Sequence, residues 1–355
     1  MKICELFNLY AGGDLDKENY SKYQTTKYCF PIYSNSLTNK GLYGYTSRPR
    51  YKEDSITITG RGTIGVAEFR KDKFDAIIRL LVLEKKTNNL SQYITYIINH
   101  FIKFNVESTG VPQLTVPQIK NIEIKLPDLS VQKNVVEYLT NIEKYIKSLE
   151  KLIEKKKLIK QGVMQELLTG RKRLPGFDSE WIQNKVKKVC MSITTGKLDA
   201  NAMTPNGIYR FYTCAKNYYF INNYAFDTEA LLISGNGANV GYVHYYKGKF
   251  NAYQRTYVLS DFKIDVKLLK NILDFCLSER IKKEVNSGNT PYIKLDTITE
   301  MEIFYPSDKN EQEEIANILT NMDEEIESLE QDLEKYKHIK QGMMEQLLTG
   351  KIRVV

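Results

Sequence analysis

Two glycine-flanked loops carry the side chains best suited to chemistry in this chain. Gly60-Arg61-Gly62-Thr63 and Gly235-Asn236-Gly237-Ala238-Asn239 each hold polar side chains between small residues. Glycine lets backbone approach a phosphate. A guanidinium such as that of Arg61 donates twice to guanine O6 and N7, and an amide such as that of Asn236 or Asn239 pairs with adenine N6 and N7. The competing reading of both loops is a plain β-hairpin turn. Arg61 against Asn236 is the sort of swap that changes which base is read.

Further candidates for DNA contact are Tyr33, Ser34, Asn35, Tyr43, Tyr45, Arg48 and Arg50 in the first part of the chain. In the second they are Lys216, Asn217, Tyr218, Tyr219, Gln254 and Arg255. Tyrosine beside Lys, Asn and Ser suits base stacking and phosphate hydrogen bonding, and the chain has 25 tyrosines. The alternative reading, tyrosine as strand former and core filler, covers about half of them. About half of the candidates are expected to touch DNA, and the rest to be surface or core. Arg79 and Arg255 occupy equivalent places in an internal repeat, which points to a shared scaffold or phosphate grip rather than base discrimination.

Asn289-Thr290-Pro291-Tyr292 is close to the Asn-Pro-Pro-Tyr sequence with which amino-methyltransferases hold a target base. Its repeat counterpart, Gly110-Val111-Pro112-Gln113, keeps only the proline. A glycine-rich cofactor loop between strand and helix is also missing, because Gly235-Asn236-Gly237 sits between two strand-like runs. The expected reading is a turn with a structural proline, where Tyr292 and Lys294 touch DNA.

The remaining reactive residues offer little. Cys4, Cys29, Cys190, Cys214 and Cys276 are odd in number and never spaced as CxxC, which argues against a disulfide frame or a zinc site. His100, His244 and His338 lie far apart in sequence, so no metal site is expected. A net charge of +8 favours a polyanionic partner. No apolar run of about 18 residues exists and Met1 opens into mixed sequence, so neither a membrane span nor a secretory signal is expected, and a cytoplasmic location is.

The elements that must position these residues are announced by a stretch present twice. Ile159-Lys160-Gln161-Gly162-Val163-Met164-Gln165-Glu166-Leu167-Leu168-Thr169-Gly170 returns at Ile339 to Gly350 with nine of twelve residues identical, at an offset of 180. Upstream, apolar residues fall at Val135, Leu139, Ile142, Ile146, Leu149 and Ile153. In the second copy they fall at Ile315, Leu319, Met322, Ile326, Leu329, Leu333 and Tyr336. Alternating steps of four and three make a heptad seam on an otherwise polar helix, which must lie against another helix. Two copies of equal length and register are each other's most economical partner. Lys155, Lys156, Lys157 and Lys160 near the end of the first copy suit the helix dipole.

The organisation predicted is globular unit, helix, linker, globular unit, helix. Its boundaries are 1–129, 130–169, 170–183, 184–308 and 309–350, with 355 residues in all. The fold class is α+β, each globular unit mixing strands with a helix. In the first unit strand-like runs cover Tyr28 to Tyr33, Ser55 to Thr59 and Ile77 to Leu83, and a helix is predicted over Leu90 to Phe104. Ser130 is the predicted N-cap of the first long helix, and Gly170 its end. In the linker, Phe177 and the single tryptophan, Trp181, are expected to anchor on a neighbouring surface. The second unit repeats the first in diverged form. Gly13-Asp14-Leu15-Asp16 aligns with Gly196-Lys197-Leu198-Asp199, Gly60 with Gly235, Ala76 and Arg79 with Ala252 and Arg255, and Pro112 with Pro291.

Near-identical helices joined to dissimilar globular units fit a ruler that holds two readers apart. About 38 helical residues at ~1.5 Å each span roughly 57 Å, or roughly 17 base pairs of duplex. An antiparallel pairing would give a pseudo-two-fold axis.

Leu126-Pro127 with Gln132, the heptad helix ending in the Ile159 to Gly170 run, and Arg173-Leu174-Pro175-Gly176-Phe177 with Trp181 resemble the specificity (S) subunit of type I restriction-modification systems. The resemblance covers essentially the whole chain. It implies two target recognition domains that each read half of a bipartite double-stranded DNA sequence. It also implies an antiparallel coiled coil that sets the gap and docks the methyltransferase (M) subunits, with cleavage in restriction (R) subunits. On this resemblance the chain is no enzyme and holds no cofactor, and S-adenosylmethionine, ATP and magnesium belong to the partners. Met1 corresponds roughly to Asn184, so the first unit is expected to lack a counterpart of the Pro-Gly-Phe and Trp entry stretch. Two rivals remain: a coiled-coil scaffold with nonspecific DNA affinity, and a stand-alone DNA methyltransferase.

Overall fold

The computed structural model describes residues 1–104, 112–284 and 291–352. The chain divides into two units, each a globular domain with half of each long helix. The first comprises Met1–Leu149 and the chain from Asp332 onward, the second Glu150–Gln331.

The first unit runs through α1 (Ile3–Leu6), β1 (Phe7–Ala11), β2 (Tyr20–Ser21), β3 (Phe30–Tyr33), β4 (Leu42–Thr46), β5 (Ser55–Ile58), β6 (Ala67–Arg70), β7 (Asp75–Ala76) and β8 (Leu81–Lys85). Helices α2 (Ser91–Phe101), α3 (Val116–Ile119) and α4 (Leu129–Leu167) follow. The strands form two four-stranded sheets, ordered β1-β8-β5-β6 and β2-β4-β3-β7. Period-two alternation decides the core: Ile56, Ile58, Leu81 and Leu83 join Ile94, Ile97 and Ile98 of α2 in one buried cluster. Val82, pointing the other way, packs with Phe74, Ala76 and Leu80.

The continuous strand expected over Ile77 to Leu83 is broken. Ile78 and Arg79 adopt φ of +57° and +60°. Their N–H groups donate to the carbonyls of Gly13 and Gly12 at 2.9 and 3.1 Å, so the chain turns there to meet a loop and passes from the sheet of β7 to the other sheet at Leu81.

The second unit contains β9 (Trp181–Lys185), α5 (Val186–Val189), β10 (Cys190–Thr195), β11 (Tyr209–Tyr212), β12 (Tyr219–Ile221), β13 (Phe226–Ser234), β14 (Val243–Ala252) and β15 (Thr256–Phe262). It continues with α6 (Val266–Glu284), α7 (Leu295–Thr299), β16 (Glu302–Pro306) and the start of α8 (Lys309–Leu348). Six strands form one sheet, ordered β10-β15-β13-β14-β11-β12, while β9 pairs with β16. One sheet face packs Leu231, Ile233 and Leu259 against Leu269 and Leu273 of α6. The other buries Ala230, Leu232 and Val258 under Tyr212 and Phe250.

The long helices pair antiparallel within each unit. In the first, Val135 and Leu139 near the start of α4 share a core with Leu347 and Leu348 at the end of α8. Glu143 accepts from Lys340 at 2.8 Å, and the rings of Tyr145 and Tyr336 meet edge-on at 4.5 Å. In the second, Met164, Leu167 and Leu168 at the end of α4 join Ile315, Ala316 and Leu319 near the start of α8. Here Lys156, Lys157 and Lys160 reach Glu325, Glu330 and Asp323 at 2.6, 2.5 and 2.5 Å. The lysines that suit the dipole of α4 therefore also answer acids on its partner. Seam positions such as Ile142, Ile146, Leu329 and Leu333 are half-buried, as a two-helix seam requires.

Local details depart from expectation. Ser130 lies inside the first turn of α4 rather than capping it, and the carbonyl of Asp128 accepts from Gln132 N–H at 3.1 Å. In the linker it is Leu174, with Trp181, that packs on the second core, and the Trp181 ring lies 4.9 Å from that of Phe304. Arg173 holds the fully buried Glu311 with two bonds of 2.7 Å. Among the described residues no helix is long and apolar enough to cross a membrane.

Candidate nucleic-acid interface

In the first unit, the loop from Thr59 to Val66 closes the β5–β6 hairpin, and Gly60 is its hub. Its N–H donates to Asn35 Oδ1 at 2.7 Å, and its carbonyl accepts from Leu114 N–H at 2.9 Å. A Cβ there would crowd the carbonyls of Arg79 and Leu114. Asn35 also donates to the carbonyl of Ile78 at 2.5 Å and accepts from Arg61 N–H at 3.3 Å. Arg61, Gly62 and Thr63 are consequently displayed on an exposed tip. Arg61 reaches Gln113 at 3.5 Å, the long limit of a hydrogen bond, so among the described residues its donors are largely open to a ligand. Gly62 has φ +68° with open space around it, which fits glycine at the apex. Arg79 is exposed beside this cluster.

The second unit builds the same frame from different side chains. Gly235 N–H donates to the carbonyl of Arg255 at 2.8 Å, and Ile293 N–H donates to the carbonyl of Gly235 at 2.9 Å. Asn236 bridges to Tyr292, the counterpart of Gln113, and Asn239 donates to the carbonyl of Cys214 at 3.1 Å. Tyr292, Lys294 and the Arg255 side chain are exposed around this loop. Both glycine loops are hairpin connections, so the turn reading and the binding reading describe the same residues. Asn289 and Thr290, like Gly110 and Val111, lie outside the described residues.

One alignment shifts. The N–H groups of Gly12 and Gly196 donate to the carbonyls of Leu80 and Thr256, at 2.7 and 3.2 Å, and a Cβ on either would strike the carbonyl of Ala76 or Ala252. Gly12, not Gly13, is thus the counterpart of Gly196. Close backbone approach, invisible in sequence, selects the glycine.

Several candidates are engaged by the fold itself. Arg50 donates to Asp75 at 2.5 Å and to the carbonyl of Ala76 at 3.1 Å, and this hydrogen bond to Asp75 pushes its pKa above the usual arginine value. Tyr33 lies under the guanidinium of Arg70, 3.5 Å from the ring centre, and Ser34 is buried against Gly41. Gln254 donates to Asp199 at 2.8 Å. Tyr43 contacts Tyr20 on the β2-β4-β3-β7 sheet, where Tyr45 also lies, and the exposed Arg48 sits in the bend after β4. Lys216, Asn217, Tyr218 and Tyr219 are exposed together before and along β12.

Sequence reasoning missed Arg210 on β11. Its guanidinium carbon sits 4.2 Å from the Tyr218 ring centre and 4.6 Å from that of Tyr246. His244, on the same strand as Tyr246, bonds through Nε2 to the carbonyl of Ala215 at 2.9 Å, and burial pushes its pKa below the usual histidine value. The Arg210–Tyr246 and His244–Ala215 contacts have no local sequence signature, because each joins segments about 30 residues or more apart.

A family model described as the type I restriction modification DNA specificity domain matches residues 1–161 and again 178–338. The type I restriction enzyme EcoDI specificity subunit of Escherichia coli is 39% identical over 162 residues, 45% of this chain and 35% of that protein. The matched stretch spans about a third of that relative's length. The type I restriction enzyme MjaVIII specificity subunit of Methanocaldococcus jannaschii is 25% identical over 390 residues, 96% of this chain and 88% of that protein. The crystal structure of a type I restriction-modification system S subunit from M. genitalium has a TM-score of 0.74 at 16% identity, covering 98% of this chain and 95% of that one; the likeness is one of fold.

Proposed function

Because the chain belongs to the type I restriction modification DNA specificity family, we propose that it is a DNA-recognition subunit whose two globular domains each read one half of a bipartite duplex sequence. One observation carries this reading. The two domains share a backbone frame, with Gly60 and Gly235 bonded to Leu114 and Ile293 in the same way. They differ at the displayed positions, Arg61 and Gln113 against Asn236 and Tyr292. A shared frame with exchanged donors is what reading two unlike half-sites needs.

The chemistry is assigned to partners. Methyl transfer belongs to M subunits docked on the paired helices, and cleavage to R subunits. S-adenosylmethionine, ATP and magnesium are bound there rather than by this chain, and the complex acts in the cytoplasm. In support, the loop at Gly235-Asn236-Gly237 joins two antiparallel strands rather than a strand and a helix, so it lacks the geometry of a cofactor phosphate loop.

The test is methylome sequencing of the host with and without this gene, together with binding of the assembled complex to defined and random duplexes at raised salt. Loss of one split methylated motif, and base-dependent binding that persists as phosphate contacts weaken, is the expected outcome. An unchanged methylome with purely nonspecific binding overturns it, as does methyl transfer by the purified chain alone.

A further inference from the structure

The second unit holds an arginine in a setting that scaffold packing does not use up. Arg210 lies opposite Phe220 on β12 and Phe250 on β14, so its side chain shares a sheet face with Tyr212 and Tyr246. The guanidinium is clasped between the rings of Tyr218 and Tyr246 at 4.2 and 4.6 Å. Its one protein hydrogen bond among the described residues runs from Nη1 to the Tyr212 hydroxyl at 3.4 Å, near the long limit. No carboxylate pairs with it there, and the residue is only half-buried.

The first unit supplies the comparison. Tyr33 and Tyr212 occupy the same place in the frame, their carbonyls accepting from Ile77 and Tyr253 N–H at 2.9 Å each. The ring of Tyr33 lies under the guanidinium of Arg70 at 3.5 Å, whereas Arg210 meets Tyr212 only at its hydroxyl and stacks instead on Tyr218 and Tyr246. Arg70, however, is 5% exposed and spends its donors on Thr57 Oγ1 and the Lys40 carbonyl, at 2.9 Å each. Each unit thus sets a guanidinium on tyrosine, but in the first it is enclosed with its donors bonded and in the second it is half-exposed.

A guanidinium fixed between two rings loses its freedom to swing but keeps its edge donors in one plane. Such an edge matches two coplanar acceptors, the pattern of guanine O6 and N7 in the major groove. Phosphate oxygens can also take a guanidinium edge, but a phosphate contact is open to a mobile lysine acting as a point charge and does not require the clamping seen here. We propose that Arg210 is a specificity-determining residue of the second unit that reads a guanine. The assignment rests on the DNA-recognition reading above.

The experiment selects bound duplexes from a library randomised in both half-sites, using the assembled complex with wild-type chain, Arg210→Ala, Arg210→Lys and Tyr218→Leu. Wild type is expected to prefer guanine at one position of one half-site. Both Arg210 variants should lose roughly tenfold of that preference, with other positions and the salt dependence of binding unchanged. Tyr218→Leu, which opens the clasp while keeping the arginine, should lose part of it, and it retains the test should Arg210→Ala fail to fold. The assignment is overturned if Arg210→Lys keeps the full base preference, or if the variants merely weaken binding to every sequence with a shallower salt slope. A wild-type complex that selects no sequence overturns the DNA-recognition reading along with it, whereas selective wild type with unaltered variants overturns Arg210 alone.

Discussion

Asn35 Oδ1 accepts from the backbone N–H of Gly60 at 2.7 Å, while its Nδ2 donates to the carbonyl of Ile78 at 2.5 Å. One amide thus ties the start of the Arg61 tip to the turn that precedes β8. Its role is to hold a reader in place, and this divides the first unit's candidates into those that display and those that support.

Arg61→Ala is expected to relax base preference in one half-site by about 1–3 kcal/mol, with stability unaffected because Arg61 is exposed. Asn35→Ala frees three backbone groups and should lower stability by about 1–2 kcal/mol while blurring the same base position. In the double variant the loss of preference should not exceed that of Arg61→Ala alone. Selection profiles with additive losses would assign Asn35 a separate contact.

The Arg173 guanidinium anchors the linker to the fully buried Glu311. Arg173→Ala leaves that carboxylate without its cation and should lower the melting temperature of the full chain. Replacing both, as Arg173→Leu with Glu311→Leu, should recover much of the loss. A single variant as stable as wild type contradicts the anchoring role.

Burial depresses the pKa of His244 below its ordinary value of 6.5. Its contribution is complete above pH 6.5, where folded and unfolded states are both neutral. It declines as pH falls below 6.5, because the unfolded chain then binds a proton that the folded one resists. Denaturant midpoints measured from pH 7.5 to 5 should therefore fall less steeply for His244→Gln than for wild type. Parallel slopes rule the effect out.

If the paired helices act as a spacer, deleting one heptad from each of α4 and α8 should shorten the tolerated gap between half-sites by roughly 10 Å, about three base pairs. Selection on libraries with varied gaps reads this directly, and an unmoved optimum contradicts the spacer role.

The long helices were open to reading from the amino-acid string because their information is local. A heptad repeat records which stripe is buried, and an internal duplication in register supplies the partner. The hairpin loops at Gly60 and Gly235 were visible for the same reason, since glycines flanking a polar residue between strand-like runs signal a turn. What the string left undetermined depends on approach between distant segments. Gly12 rather than Gly13 matches Gly196 because a carbonyl from another strand leaves no room for a Cβ. Asn35 supports rather than displays because its acceptors and donors come from residues 25 to 43 positions away. Nothing local in the sequence around Arg210 or Arg70 says which of the two keeps its donors open. Tertiary packing alone spends the donors of one and leaves those of the other open, because hydrogen-bond partners are set by neighbours in space.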